Sequence, residues 1–258
     1  MPRVRVATLN VRNRADRWLA RRHLLVEQIM AAEPDLLSLQ ELSMPIGQGA
    51  WLKNQINMRL SGSTKRPYRL FQKRKQHPLY GYLEGIGILT KLPVLYHDAI
   101  SLGYGGRVAL RVNVELNTHQ SLDFVAVHLH NVSHDQQARE EQVMTLLSWL
   151  NSRRPVPFQV IAGDFNEVPN GLAIQYLKKA LYRSAYECRH GHEPLATYPT
   201  ALVPESDGWA GCLDYIFISR QIKKVISASV FCERPSPEDD TLFPSDHVGL
   251  IATLEIGE

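Results

Sequence analysis

Short runs rich in valine, isoleucine and leucine recur along the chain, and most of them end on a polar residue. Val4–Val11 alternates and predicts a strand. Arg17–Ala32 predicts a helix, with Leu19, Val26 and Met30 on one face, Leu25 and Ile29 beside it, and Pro34 to stop it. Leu36–Leu42 reads as a buried strand and Trp51–Leu60 as a helix. Tyr68–Phe71, Gly85–Thr90, Ala109–Leu116 and Leu122–Leu129 follow as successive strands. Ser133–Asn151 is the clearest helix, because Val143, Leu146, Leu147 and Leu150 form one apolar stripe at helical spacing. Phe158–Ala162 is a short apolar strand ending at Gly163, and Leu172–Leu181 a helix. Leu213–Ser219, Ser227–Cys232 and Val248–Ile256 are the last strands.

Links of both hairpin and helix length between such strands imply mixed sheets with helices on the outside. Each half of the chain opens strand–helix–strand, so the expectation is an α/β fold of two sheets packed face to face and flanked by helices. There is no short repeat, low-complexity tract or convincing linker, and the length allows one large α/β domain or two small ones. Arg234–Asp240 reads as a surface loop within it.

A chain of 258 residues with 44% hydrophobic content can bury a sizeable core. Its net charge of +3 is compatible with a polyanionic substrate without specifying one. The three cysteines, Cys188, Cys212 and Cys232, lack disulfide-framework spacing and fit a reducing cytoplasm. No leader and no membrane span is read in the chain, so a cytoplasmic monomer without membrane insertion is expected.

Candidate chemistry sits at strand ends. Glu41, past Leu36–Gln40, can offer carboxylate oxygens to Mg²⁺ or Mn²⁺, or can simply be solvated. Asn10 ends the first strand, where it can orient a metal or a water, or make a turn. In Gly163-Asp164-Phe165-Asn166 the glycine permits close backbone approach. Asp164 and Asn166, two apart, would share one side of an extended chain, unless Asp164 only caps a turn. Alternation places His128 and His130 on one side, opposite Val127 and Leu129; an imidazole there can stabilise phosphate oxygens or rest in the core. Asp214 opens a very apolar strand and needs a partner, for which a histidine N–H is the obvious candidate. Ser245-Asp246-His247 can supply it: adjacent side chains diverge, so Asp246 would face a metal while His247 faces Asp214.

In chain order, Thr8-Leu9-Asn10-Val11, Leu39-Gln40-Glu41, Gly87-Ile88-Leu89-Thr90, Val127-His128-Leu129, Gly163-Asp164-Phe165-Asn166, Leu213-Asp214-Tyr215-Ile216-Phe217 and Ser245-Asp246-His247 span nearly the whole chain. The set resembles the endonuclease/exonuclease/phosphatase superfamily, which includes deoxyribonuclease I, AP endonucleases, deadenylases, tyrosyl-DNA phosphodiesterases and neutral sphingomyelinases. The resemblance implies one catalytic domain over residues 1–258, a four-layer α/β/β/α sandwich and a Mg²⁺- or Mn²⁺-dependent phosphoric ester hydrolase. It implies that Glu41 binds the metal with Asn10 and Asp246 nearby, that Asp164 positions or activates water, and that Asn166 contacts phosphate. Asp214 would orient His247, which contacts the scissile phosphate or acts as base; His128 would donate to a phosphate oxygen, and Arg107 and Asn131 would contact substrate.

Leu42-Ser43 stands where AP endonucleases usually have Thr-Lys, and His128 where they carry tyrosine, which argues against abasic-site repair. Gly208–Asp214 matches poorly the Pro-Ala-Trp-x-Asp-Arg segment usual in inositol polyphosphate phosphatases. Lys65, Arg66, Arg69, Lys73, Arg74, Lys75 and His77, interleaved with Tyr68, Phe71 and Tyr80, suit a surface that tracks a nucleic-acid backbone and stacks bases. They suit a solvated edge strand, or anionic lipid headgroups, nearly as well. Cys188-Arg189-His190-Gly191-His192 is too tightly spaced for the usual zinc patterns and reads as a loop. The expected partner is a phosphodiester substrate, with nucleic acid ahead of phospholipid or sphingomyelin, and an inactive binding scaffold last.

Overall fold

The computed structural model describes residues 1–77, 83–117, 120–152, 156–203 and 209–257. The first half of the chain supplies β1 (Arg3–Asn10), α1 (Trp18–Ala32), β2 (Leu36–Ser43), α2 (Gln48–Leu60), β3 (Arg69–Arg74) and β4 (Glu84–Thr90). There follow β5 (Val94–Gly103), β6 (Arg107–Asn117), β7 (Gln120–His128), α3 (Gln136–Asn151), β8 (Phe158–Asp164), α4 (Leu172–Lys179), β9 (Arg183–Ser184) and α5 (Ala185–His190). The chain closes with β10 (Asp214–Ile218), β11 (Lys224–Phe231) and β12 (Gly249–Glu255).

These strands form two six-stranded sheets, in the orders β11-β12-β1-β2-β4-β3 and β5-β6-β7-β8-β10-β9. Each sheet has one parallel pair at its centre, β1/β2 in the first and β7/β8 in the second, and every other pairing is antiparallel. The parallel pairs are those joined through α1 and α3, because a parallel partner needs a crossover long enough to hold a helix. The two halves therefore repeat one plan.

Three apolar layers hold the sandwich. Val6, Leu36 and Ile88 of the first sheet meet Val112, Phe124, Val160 and Ile216 of the second between the sheets. Leu9, Leu37 and Leu39 pack outward on Leu25, Ile29 and Leu52 of α1 and α2. Val125, Ile161 and Phe217 pack outward on Val143, Leu146 and Ile174 of α3 and α4. Fully buried side chains of this size each stabilise by on the order of 1.5–3 kcal/mol. The layers are those of an α/β/β/α sandwich, as expected from the residues.

Several local expectations change. Leu19 is 70% exposed, and α1 buries Trp18, Leu25, Val26, Ile29 and Ala32 together with Arg21. The alternation of β1 holds only for its first half, since Ala7 and Leu9 are covered by helices while Thr8 and Asn10 face the other sheet. α3 begins after Asp135, whose Oδ1 accepts the Ala138 N–H at 3.1 Å, rather than at Ser133. β5 has no counterpart in the sequence reading, because a sheet-edge strand that buries only Leu102 fully carries no clean period. The Cys188–His190 segment lies in α5 rather than in a loop. All three cysteines are free thiols. Among the described residues no helix is long and apolar enough to cross a membrane.

Candidate active site

At one end of the sandwich the inward-facing positions of the strands change from apolar to polar. In β1 the inward series Val4, Val6 continues as Thr8 and Asn10. In β7 it runs Leu122, Phe124, Ala126 and then His128, and in β8 Phe158, Val160, Ala162 and then Asp164. β10, running the opposite way, begins with Asp214 before Ile216 and Ile218, and β4 begins with Glu84 before Ile86 and Ile88. Register does the rest: His128 and Asp214 are both the direct cross-strand partners of Asp164.

Two rows of polar side chains face each other as a result. His247, just before β12, places Nδ1 2.8 Å from Asp214 Oδ2. Asn10 Nδ2 donates to Asp164 Oδ2 at 3.0 Å and to Glu41 Oε1 at 3.2 Å. Glu84 Oε1 lies 3.2 Å from Arg107 Nη1 and 3.5 Å from His128 Nδ1. Asp164 Oδ2 is central, 3.5 Å from His128 Nε2 and 3.9 Å from His247 Nε2. Glu41, Asp164, Asp214 and His247 thus open onto one place. The rows are tied together beneath by Ser38 Oγ, which donates to the Ala162 carbonyl at 2.9 Å across the sheets.

Glu41 joins the cluster through a bulge. An unbroken strand with Ser38 and Gln40 inward would turn Glu41 outward. The β2/β4 register instead shifts between Leu39 and Leu42, and Glu41 adopts φ +54°. Asn166 also departs from the extended geometry, at φ +48°. Its N–H donates to Asp164 Oδ1 at 2.8 Å and its Nδ2 to the Leu129 carbonyl at 3.2 Å, so it props Asp164 from behind. Gly163 is required by close approach, because a Cβ there would sit 2.0 Å from the Val127 carbonyl oxygen. His130 does not share the side of His128: its N–H donates to Gln142 Oε1 and its ring faces Asp135. Asn131 is exposed beyond β7 and enters none of the cluster's hydrogen bonds.

The electrostatics follow from burial and crowding. Burial, with the charges of Glu84 and Asp246, pushes the Glu41 carboxyl up. Burial alone would raise Glu84, but the hydrogen bond and charge of His128, then Arg107 and Lys75, outweigh it and hold the carboxyl at about 2. Burial alone would lower His247, but Asp214, Asp246 and Asp164 outweigh it and carry the imidazole up to about 10. Burial also raises Asp214, so the pair as a unit holds its proton tightly. Arg107 Nη1 lies 2.7 Å from His128 Nδ1 and can only donate, so in the neutral form of His128 the proton sits on Nε2, toward Asp164.

The three groups expected to hold a cation differ in what they have free. The side-chain Oδ1 of Asn10 accepts the Arg12 N–H at 3.0 Å. Asp246 accepts from Ser245 Oγ at 3.2 Å and pairs with Arg12 at 3.3 Å. Among the described residues Glu41 accepts only amide hydrogens at its side chain, from Asn10 and Asn13. Asp164, Asp214 and His247 also bring ligand-type atoms within 4.8 Å of one another. His247 Nδ1 is there committed to Asp214, and an imidazolium has no lone pair for a metal. A crowded, desolvated carboxylate with hard oxygens fits Mg²⁺ or Mn²⁺ at Glu41.

Sequence reasoning passed over Glu84, Arg12 and Asn13, all in or beside the cluster, and placed Lys75 only in the basic stretch, whereas its charge acts on Glu84. Glu84 had a signal, a carboxylate opening an apolar strand as Asp214 does. Two buried arginines were also missed. Arg21 of α1 donates to the carbonyls of Val11, Arg12, Asn13, Ala15, Asp16 and Pro244, fastening the loop after β1 to the approach to His247. Arg139 of α3 donates to the carbonyls of His130, Val132 and Ser133 and to Glu167, fastening the loops after β7 and β8. The basic patch changes character. Tyr68 is buried and donates to the Pro34 carbonyl, Phe71 packs on His97, and Lys65 pairs with Glu33, while Tyr80 lies outside the described residues. The described aromatics of the patch, Tyr68 and Phe71, support the fold and are not a stacking surface.

The family model described as "Endonuclease/Exonuclease/phosphatase family" matches residues 7–247. A solved endonuclease/exonuclease/phosphatase from Bacteroides vulgatus superposes with a TM-score of 0.78 at 19% identity, covering 100% of both chains. The human Nocturnin catalytic domain with bound sulfate superposes at 0.76 and 21% identity, over 99% of this chain and 95% of that one. Humanized D. rerio TDP2 superposes at 0.75 and 17% identity, over 98% of this chain and 100% of that one. No curated protein matches by sequence.

Proposed function

Since the chain belongs to the endonuclease/exonuclease/phosphatase family, whose members hydrolyse phosphoester bonds, we propose that it is a divalent-cation-dependent phosphodiesterase acting on nucleic acid. The observation that carries this reading is the pair of facing rows, in which His247–Asp214, Asn10–Asp164 and Glu84 with Arg107 and His128 meet at one end of the sandwich. Such an arrangement supplies a water-orienting carboxylate, oriented imidazoles and an arginine within reach of one phosphate.

Asp164 aligns the attacking water and accepts its proton. Asn10 Nδ2 and the Asn166 N–H hold the two oxygens of that carboxylate. His247, turned by Asp214, donates through Nε2 to a phosphate oxygen. His128 donates from the opposite side, its tautomer set by Arg107. Arg107 and Arg12 add positive charge, and Asn131 reaches substrate from the loop after β7. Glu41 would hold the cation, with Asp246 and Asn10 beside it. When bound, Mg²⁺ or Mn²⁺ supplies Lewis-acid stabilisation of charge on the phosphate oxygens.

The test is a screen of single- and double-stranded DNA, RNA, 5′-tyrosyl DNA and sphingomyelin vesicles with Mg²⁺ or Mn²⁺, using His247→Ala as the blank. Metal-dependent cleavage of a nucleic acid, absent from the blank, is expected. Turnover of sphingomyelin alone would move the assignment to lipid. Equal activity in the blank would overturn the site.

A further inference from the structure

Beside the cluster, on the helical layer of the first sheet, lies a cleft of about 640 Å³ between the N-terminal ends of α1 and α2. Its volume is in the range of small-ligand sites, roughly 300–1,000 Å³. Trp18 and Trp51 form its aromatic wall, edge to face with centroids 5.4 Å apart. The Arg22 guanidinium lies 5.2 Å above the Trp51 ring, and its buried Nε has no hydrogen-bond partner. Arg14 stands exposed at the mouth. Of the five arginines between residues 12 and 22, Arg12 and Arg17 are ion-paired and Arg21 is consumed by carbonyls. Arg14 and Arg22 make no ion pair among the described residues.

The cleft is connected to the site. Gln48, which lines it, donates to the Asn13 carbonyl at 2.6 Å, and Asn13 Nδ2 donates to Glu41 Oε2 at 3.3 Å. The cleft is thus two hydrogen bonds away from Glu41, and a strand whose scissile phosphate sits against Glu41 and Asp164 can extend toward it. An aromatic wall capped by an arginine plane recognises a π-face, and the free arginine at the mouth recognises phosphate. In a duplex both faces of each base are already stacked, so a base enters a concave site from an unpaired strand without the unstacking cost that a duplex imposes.

We infer that this cleft is a subsite for a nucleotide flanking the scissile phosphate of single-stranded nucleic acid, with the base against Trp51 and Arg22 and the adjoining phosphate at Arg14. The inference rests on the phosphodiesterase reading above and narrows its substrate to unpaired strands.

The experiment measures binding, so that it reads independently of turnover. His247→Ala protein with Mg²⁺ is titrated with a short labelled single strand, with its duplex, and with phosphatidylserine vesicles, following anisotropy and tryptophan fluorescence. The single strand should bind more tightly than the duplex and quench the fluorescence. Adding Trp51→Ala should weaken single-strand binding about tenfold, whereas Trp51→Phe, which keeps a π-face, should retain most of it. Arg14→Ala should reduce the slope of log affinity against log salt by about 0.7. The subsite is overturned if Trp51→Ala binds within about twofold of its parent, if the single strand does not bind, or if only the vesicles quench. Hydrolysis of bis(4-nitrophenyl) phosphate by the unmodified chain is scored separately. Hydrolysis with a silent Trp51 removes the cleft alone, and a Trp51 effect without hydrolysis removes the phosphodiesterase reading alone.

Discussion

Asp214 Oδ2 accepts from His247 Nδ1 at 2.8 Å, while the second oxygen of the same carboxylate is buried with no hydrogen-bond partner among the described residues. Asp214 is thus placed to orient one imidazole. Asp214→Asn keeps the volume and removes the charge that fixes the ring's tautomer. Turnover of a phosphodiester should fall by about 10²–10⁴, with an unchanged circular dichroism spectrum. Turnover within about tenfold of the parent would remove the pair from the reaction.

Glu41 is crowded by Glu84 and Asp246 and desolvated, and among the described residues its side-chain oxygens accept only from amides. A divalent cation would relieve that crowding. Titration calorimetry with Mn²⁺ should show a site in the parent chain, and Glu41→Gln should weaken it by at least about tenfold. EDTA should abolish turnover and added Mg²⁺ or Mn²⁺ restore it. An identical isotherm for Glu41→Gln would place the cation elsewhere in the cluster.

Arg21 is fully buried, and six backbone carbonyls accept from its guanidinium. Burial outweighs the raising influence of Asp246 and lowers the group to about 10. Arg21→Met keeps much of the apolar bulk but orphans those carbonyls. Urea unfolding should show a loss on the order of 3–5 kcal/mol. Because the clamp joins Val11 to Pro244, the folded fraction should also lose turnover. Arg21→Lys, with three donors in a different geometry, should rescue only part of either.

Glu193 lies far from that clamp, beside α5, where Ser184 Oγ donates to its Oε2 at 2.8 Å and its buried Oε1 has no partner. Burial raises the carboxyl from 4.5 to about 7. The folded chain keeps this proton through a range in which the unfolded chain has released it. That contribution to stability is complete below the unfolded value and is lost as pH rises to about 7. Between pH 5 and pH 8 the parent should therefore lose on the order of 1–3 kcal/mol relative to Glu193→Gln, read by urea unfolding at both values. Parallel pH profiles for the two proteins would show that the carboxyl is not perturbed.

Much of the site was legible in the string of residues because strand geometry is periodic. Asp164, Asp214 and His128 each stand where an inward apolar series meets a polar position, and that rule needs no coordinates. Gly163 was legible for the same kind of reason, a backbone approach that only a hydrogen in place of Cβ allows. Glu84 obeys the rule as well and was overlooked beside the longer apolar run that follows it.

What periodicity could not foretell are the departures from it and the meetings across it. The bulge that turns Glu41 inward, and the left-handed backbone at Asn166, break the alternation on which the reading depended. Nothing in the helical pattern marks Arg21, whose burial depends on Pro244, 223 positions away. The aromatics of the basic stretch looked available until Pro34 and His97 were seen to cover them. The amino-acid order by itself determined the strands, the helices, the layered architecture and which polar groups stand at strand ends, because each depends on near neighbours in the chain. Only the tertiary structure decided which of those groups face one another, since partners hundreds of residues apart are chosen by sheet register and packing.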